Sequence, residues 1–297
     1  LDTQFTHHIG ASYLMAVGIG NPVEDARHEF EIPVDGRYRV WVLTRNWLPE
    51  YTPGTFTLGL RYFRTPVELG SGRRLGAAST GEWIWENAGV VNLSAGRLEA
   101  SLRDCTGYYG RCATLLFTTD LDYEPPAGAQ AILAERLRIK RIAPEPASRP
   151  HSDLLVAGAG IAGICAAIAA ARYGLRVTLL QDRPMVGGNA SSECGVSVNG
   201  AAIGFDNARE GGIVEEIARE QALGNTTEST TACERLLARE PNVTVHTGQR
   251  VVGVEMATPT RIGAVTTIDT VSGAPARYAA DRFVDATGDG WVGFFAG

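Results

Sequence analysis

Between residues 29 and 120 apolar and polar positions alternate in short runs separated by turn residues. The runs are 29–34, 37–43 (Arg-Tyr-Arg-Val-Trp-Val-Leu), 54–60, 83–85, 89–93, 97–102 and 113–118, with Asp35-Gly36 between the first two. A period of two marks half-buried strands, and several short strands at this spacing predict a β-sandwich. The pattern changes at Pro125-Pro126. A short helical piece around 129–140 and the proline-rich stretch 143–150 predict a linker over 126–152.

Beyond it the periodicity is of another kind. Asp153-Leu-Leu-Val-Ala157 is an apolar strand that runs directly into glycines at 158, 160 and 163 and then into an alanine-rich helix. Ala167 and Ala171 keep one face of that helix thin, Gly174 stands at its C-terminal cap, and 176–180 reads as the second parallel strand of a βαβ unit. Apolar residues at 213, 214, 217 and 218 predict a helix over 211–220, while 243–246, 250–256, 263–269 and 277–280 alternate like the strands of a meander.

Strand, glycines and helix in this order suit a dinucleotide. Gly158 permits the tight bend, Gly160 lets backbone approach a pyrophosphate, and Gly163 lets helix and strand pack closely. The phosphates are expected at the helix N-terminus, where free N–H groups and the positive dipole end meet negative charge. A group for the adenosine ribose is expected about 20 residues on. Gln181 followed by Asp182 stands there, so the usual acid is either replaced by an amide or displaced by one residue.

Two later segments complete the set: Arg-Pro-Met-Val-Gly-Gly-Asn-Ala-Ser-Ser-Glu at 183–193 and Phe-Val-Asp-Ala-Thr-Gly-Asp-Gly at 283–290. Together with the glycine turn they resemble the FAD-dependent oxidoreductases that have a glutathione-reductase-like FAD domain. Within that group they look most like the bacterial subfamily with a Gly-Gly-Asn-x-Ser-Ser-Glu loop and a later strand ending in Ala-Thr-Gly-Asp-Gly. The resemblance covers 153–297 and implies FAD as cofactor. It implies contacts or near neighbours at Gly158, Gly160, Ile161, Ala162 and Gly163 in the turn, and at Gln181, Asp182 and Arg183 after the second strand. It adds Gly187, Gly188 and Asn189 in the loop, Val251 in the meander, and Ala286, Thr287, Gly288 and Asp289 near the end. It names no catalytic residue. It also implies a substrate-binding region and a closing FAD segment after the Ala-Thr-Gly strand, so the sequence is expected to be a fragment.

The sandwich in turn looks like the jelly-roll modules, similar to carbohydrate-binding domains, that accompany bacterial enzymes. Trp41, Trp47, Trp83 and Trp85 are candidates for stacking on sugar faces, with burial in a small core the favoured reading. The expected fold is multidomain: an all-β sandwich of jelly-roll type over 1–125, the linker, and an α/β Rossmann-like FAD-binding domain with a β-meander over 153–297.

Composition narrows the function further. The net charge of −6 argues against a nucleic-acid partner, and no run approaches the ~18 consecutive apolar residues of a membrane span. Lys140 is the only lysine, which disfavours lysine-based catalysis. Cysteines 105, 112, 165, 194 and 233 have no metal-ligand spacing, and no metal site is expected. Cys105 and Cys112 are open to a disulfide or, in preference, two buried thiols. No charged-then-apolar leader is present in this sequence, so targeting information is expected to be either processed off or not included, and a periplasmic, secreted or cytoplasmic location in a bacterium stays open.

The expected function is an FAD-dependent oxidoreductase acting on a small-molecule substrate, which the jelly-roll resemblance leans toward a carbohydrate-derived one. The rivals are an electron-transfer subunit resembling the heterodisulfide reductase A flavoprotein, a nicotinamide-dependent dehydrogenase, and a glycan-binding protein with a degenerate FAD domain.

Overall fold

The computed structural model describes residues 1–297 except 64, 68, 70, 71, 197, 199–211 and 225–228. The described chain divides into two compact units, Leu1–Arg141 and Ile142–Gly297.

The first unit holds α1 (Thr6–Ile9), β1 (Leu14–Val17), β2 (Ala26–Ile32), β3 (Gly36–Arg45), β4 (Phe56–Tyr62), β5 (Thr65–Val67), β6 (Trp83–Leu93), β7 (Gly96–Asp104), β8 (Tyr108–Thr118) and α2 (Ala129–Lys140). The strands form two antiparallel four-stranded sheets, ordered β1-β8-β3-β6 and β2-β7-β4-β5. Alternate residues explain the layering. Tyr38, Val40 and Val42 of β3 point into a core shared with Phe56, Leu60, Leu98 and Ala100 of the other sheet. The runs 83–85 and 89–93, expected as separate strands, are one strand. Its pairing jumps from Val40 opposite Gly89 to Trp41 opposite Asn87, leaving Ala88 as a bulge beside Gly89 at φ +130°.

The helix expected in the linker belongs to this unit. Ile132 of α2 is buried with Ile9, Tyr13, Leu43 and Trp83 on the outer face of the first sheet, and Arg136 donates to Thr114 Oγ1 at 2.9 Å. The expected linker is therefore corrected at this element. Its apolar positions cover Leu43, which points away from the sandwich core. Trp83 is buried there too, Trp41 and Trp85 are half-buried, and Trp47 is exposed. None of the five cysteines is in a disulfide. Burial pushes the Cys112 thiol up to about 12, whereas Cys105, expected buried, is half-exposed.

The second unit holds β9 (Ala147–Ser148), β10 (Ser152–Ala157), α3 (Ile161–Arg172), β11 (Val177–Leu180), α4 (Ile213–Gly224), α5 (Thr230–Ala238), β12 (Val243–His246), β13 (Gln249–Thr258), β14 (Arg261–Asp269), β15 (Pro275–Asp285) and α6 (Trp291–Ala296). Gly211, the expected start of the α4 segment, lies outside the described residues. β12, β11, β10 and β15 are parallel neighbours in that order. β10 is buried on both faces, Val156 against the α3 side and Leu155 with Ala157 against the other, which is why it reads as one apolar run. The thin face of α3 is Gly163, Ile164, Ala167, Ile168 and Ala171, all buried.

Residues 243–246, expected to open the meander, instead extend the parallel sheet, with Val243 opposite Val177. The chain returns from β11 through α4 and α5, and a helical return of this kind delivers a parallel neighbour. β15 serves both arrangements. Residues 275–279 pair antiparallel with β14, and 280–285 pair parallel with β10.

Candidate active site

The C-terminal ends of β11, β10 and β15 stand in a row. Gly158 N–H donates to Leu180 O and Ala286 N–H to Ala157 O, each at 2.8 Å. Three loops leave from these ends, and they are the three segments singled out in the sequence.

The glycines of the first loop do different work. Gly158 has φ +100°, and a Cβ there would lie 2.2 Å from Ala286 O. A Cβ on Gly163 would lie 1.8 Å from Gly158 O and 3.2 Å from Ala286 Cβ. Both positions exist so that turn, helix and the end of β15 can touch. Gly160 is the reverse case: it precedes α3 with extended geometry, and a Cβ on it would meet no atom within 4 Å. No side chain caps α3, so the N–H groups of its first turn, from Ile161 and Ala162 onward, have no acceptor within the helix.

The second loop closes over this opening. Gly187 (φ +113°) donates to Ala159 O at 2.8 Å and forms a β-bridge with Gly160; a Cβ on Gly188 would come within 3.0 Å of Gly160 Cα. Asn189 sits in the tight turn that follows, its carbonyl accepting Val196 N–H at 2.9 Å.

The third loop is held by a residue the sequence reading passed over. Asp285 Oδ1 accepts both the Thr287 N–H (3.1 Å) and the Thr287 hydroxyl (2.7 Å), while Oδ2 accepts Gly293 N–H at 3.0 Å. Thr287 Oγ1 then accepts Trp291 N–H at 3.0 Å. Partial burial works to raise the Asp285 carboxyl, but these donors outweigh it and hold it below the usual range. An acid two residues before a threonine at a strand end was the available signal. Gly288, at φ +84°, faces open space, and Asp289 is exposed.

The residues after β11 are engaged within the protein. Gln181 is 5% exposed, and its Oε1 accepts Ala159 N–H at 2.9 Å, tying the strand end to the glycine turn. Asp182 pairs with Arg250 at 2.7 Å, and the Arg250 guanidinium lies 4.9 Å from the Trp291 ring centre. Arg183 pairs with Glu193 at 3.1 Å. Arg250 lies far along the chain from Asp182, and no local pattern announced it. Val251 does not share this setting: its side chain is packed in the core with Leu155, Ala157 and Leu180.

An uncapped helix N-terminus, open space where a Cβ of residue 160 would stand, and two further backbone loops around it fit a dinucleotide pyrophosphate. Among the described residues no group of three or more His, Cys, Asp or Glu could hold a metal ion. None of the described helices is long and apolar enough to cross a membrane.

Comparison with known proteins agrees with this geometry. Residues 153–297 match the family described as FAD dependent oxidoreductase. A 50-residue stretch is 48% identical to the sarcosine oxidase subunit alpha of Corynebacterium sp. (strain U-96), covering 17% of this chain and 5% of that subunit's length. Among solved structures, THI4 of Thermovibrio ammonificans aligns at 19% identity and a TM-score of 0.34, over 46% of this chain and 57% of that one. L-proline dehydrogenase from P. horikoshii aligns at 15% identity and a TM-score of 0.34, over 62% and 29%. A flavocytochrome c3 fumarate reductase aligns at 15% and 0.37, over 54% and 36%. The family match and the geometry carry the assignment of residues 153–297 as an FAD-dependent oxidoreductase domain, an enzyme domain whose cofactor is FAD.

Proposed function

We propose that the protein is a flavoprotein oxidoreductase whose C-terminal unit holds the FAD pyrophosphate above Gly160 and passes hydride equivalents between a small-molecule substrate and the flavin. The observation that carries this reading is the cradle at Gly160, open on the side where a Cβ would stand and floored by the uncapped start of α3. Bound FAD would supply the redox chemistry. The chain's own residues do the holding. The first N–H groups of α3 donate to phosphate oxygens, Gln181 fixes the turn through Ala159, and Asp285 fixes the loop that carries Thr287, Gly288 and Asp289. Both candidates for the ribose contact are engaged within the protein, Gln181 Oε1 by Ala159 N–H and Asp182 by Arg250.

The strand order β1-β8-β3-β6 over β2-β7-β4-β5 supports a jelly-roll reading of the first unit, and the arrangement around α3 supports a Rossmann-like reading of the second. A sugar-derived substrate follows from the jelly-roll resemblance and is the second thing to test.

The protein should purify yellow, or take up FAD stoichiometrically, and its flavin should bleach anaerobically with one member of a panel of sugars, sugar acids and amino acids. Failure to bind FAD overturns the reading. Stoichiometric FAD that no member of the panel bleaches favours the electron-transfer rival.

A further inference from the structure

On the outer face of the first sheet, one row of residues crosses all four strands: Met15 of β1, Arg111 of β8, Arg45 of β3 and Trp83 of β6, each paired in register with the next. Two arginines thus stand directly opposite one another, about 5 Å apart at Cα. Like charges in that relation repel. The usual remedy is a carboxylate, and none is within ion-pairing distance of either guanidinium among the described residues. The contrast within the same unit is plain, since Arg27, Arg61, Arg97 and Arg103 are each ion-paired.

Hydrogen bonds do little to replace a carboxylate. Arg45 lies over the Phe5 ring, 3.8 Å from its centre, and its Nη1 is buried without an acceptor. Arg111 Nε is buried without one as well; Nη1 reaches only Tyr109 O, at 3.4 Å. Around the pair lie further donors in the same condition. Tyr13 is 1% exposed and Trp83 3% exposed, their rings 5.1 Å apart; Trp83 Nε1 has no hydrogen-bond partner, while the Tyr13 hydroxyl faces both Asp2 and Arg111 without a well-formed bond to either. Burial, opposed by Glu82 and reinforced by the like charge of Arg111, holds Arg45 below the usual guanidinium range. The carboxylates that act on this region are Glu82 and Asp2, neither of them ion-paired to the arginines.

Half-buried cations of one sign, with unsatisfied donors and few acceptors, are costly unless an oxyanion joins them. We propose that Arg45 and Arg111 form an anion-binding site that takes a carboxylate, sulfate or phosphate group. The arginine side chains offer paired N–H groups suited to two oxygens of such a group. This site belongs to the first unit alone and stands apart from the FAD reading.

The test uses the whole chain loaded with FAD, so that the glycine turn is not the sulfate acceptor. Thermal unfolding is followed against sodium sulfate and sodium glucuronate, with sodium chloride at matched ionic strength as control. A saturable rise in midpoint with sulfate or glucuronate, absent with chloride, is expected. In Arg45→Gln and Arg111→Gln the half-saturating concentration should rise at least about tenfold, the loss of one charge-assisted contact. Arg45→Lys keeps the charge and should fall between, which keeps the test open if a glutamine variant folds poorly. Half-saturation by glucuronate well below that of sulfate would identify the anion as a sugar acid's carboxylate, and the reverse order a free oxyanion. A midpoint that responds no more to these anions than to chloride, or that responds equally in the variants, overturns the proposal.

Discussion

Alanine at Gly160 and alanine at Gly163 add the same methyl group three residues apart and should fail in opposite ways. At Gly163 the new Cβ would lie 1.8 Å from Gly158 O, so α3 must move away from the turn. Overpacking of this kind costs about 1–3 kcal/mol. For a unit of this size each kcal/mol lowers the melting midpoint by about 2–4 °C, giving a fall of roughly 2–12 °C. At Gly160 the Cβ meets nothing, and φ is −70°, which alanine tolerates. The poorer N-cap costs about 1 kcal/mol and the reduced freedom of the unfolded chain returns about 0.4–1, so the midpoint without cofactor should scarcely change. The methyl instead occupies the space assigned to the pyrophosphate. Displacing the phosphates from two backbone N–H groups, at about 1.5–3 kcal/mol each, should weaken FAD binding by at least about 100-fold. Flavin fluorescence titration of the apoprotein, paired with calorimetric melting with and without FAD, reads both effects. Gly160→Ala with wild-type FAD affinity would refute the assignment of the cradle, and Gly163→Ala with an unchanged midpoint would refute the close-approach argument.

Three further outcomes are expected. Gln181→Leu should cost about 1–3 kcal/mol in urea unfolding by leaving Ala159 N–H unpaired, whereas Asp182→Ala, which strands the buried Arg250, should cost about 3–5; the reverse order would mean that the Gln181 contact matters more than the ion pair. Arg138 and the Tyr123 hydroxyl hold the Glu135 carboxyl down to about 2, so its contribution is complete above its unfolded value of 4.5 and is lost as pH falls toward 2; Glu135→Gln should flatten the acid limb of stability in that window, and an unchanged limb would discount the contact. Limited trypsin digestion should cut first after Lys140 or Arg141, where α2 ends and residues 143–150 are exposed, and an earlier cut inside 126–139 would contradict the docking of α2 on the first unit.

The glycine turn was legible because its demands are local: φ at Gly158, clearance at Gly163 and openness at Gly160 follow from residues that have no side chain to place. The sandwich strands were legible for a similar reason, since alternation reports which side of a strand is buried. What escaped was decided by distant partners. α2 reads as linker until Ile9, Tyr13 and Trp83 give its Ile132 a place to pack. Residues 243–246 have the alternation of a meander strand, and only the helical return through α5 makes them a parallel neighbour of β11. Asp182 offers itself as a ligand group in the sequence, but Arg250 reaches it from β13.

The dual allegiance of β15 has a mechanical consequence. Its first half is an antiparallel partner of β14 and its second a parallel partner of β10, so one uninterrupted backbone joins the meander to the layer that carries the glycine turn. The two cannot open one at a time without tearing that strand's ladder somewhere along 275–285. Amides on both sides of Ala280 should then exchange with solvent as a single cooperative block. A slip of β15 in its meander register would also drag Ala286 along the strand axis, out from under Gly158, so that pairing far from the glycine turn sets the alignment of the turn itself.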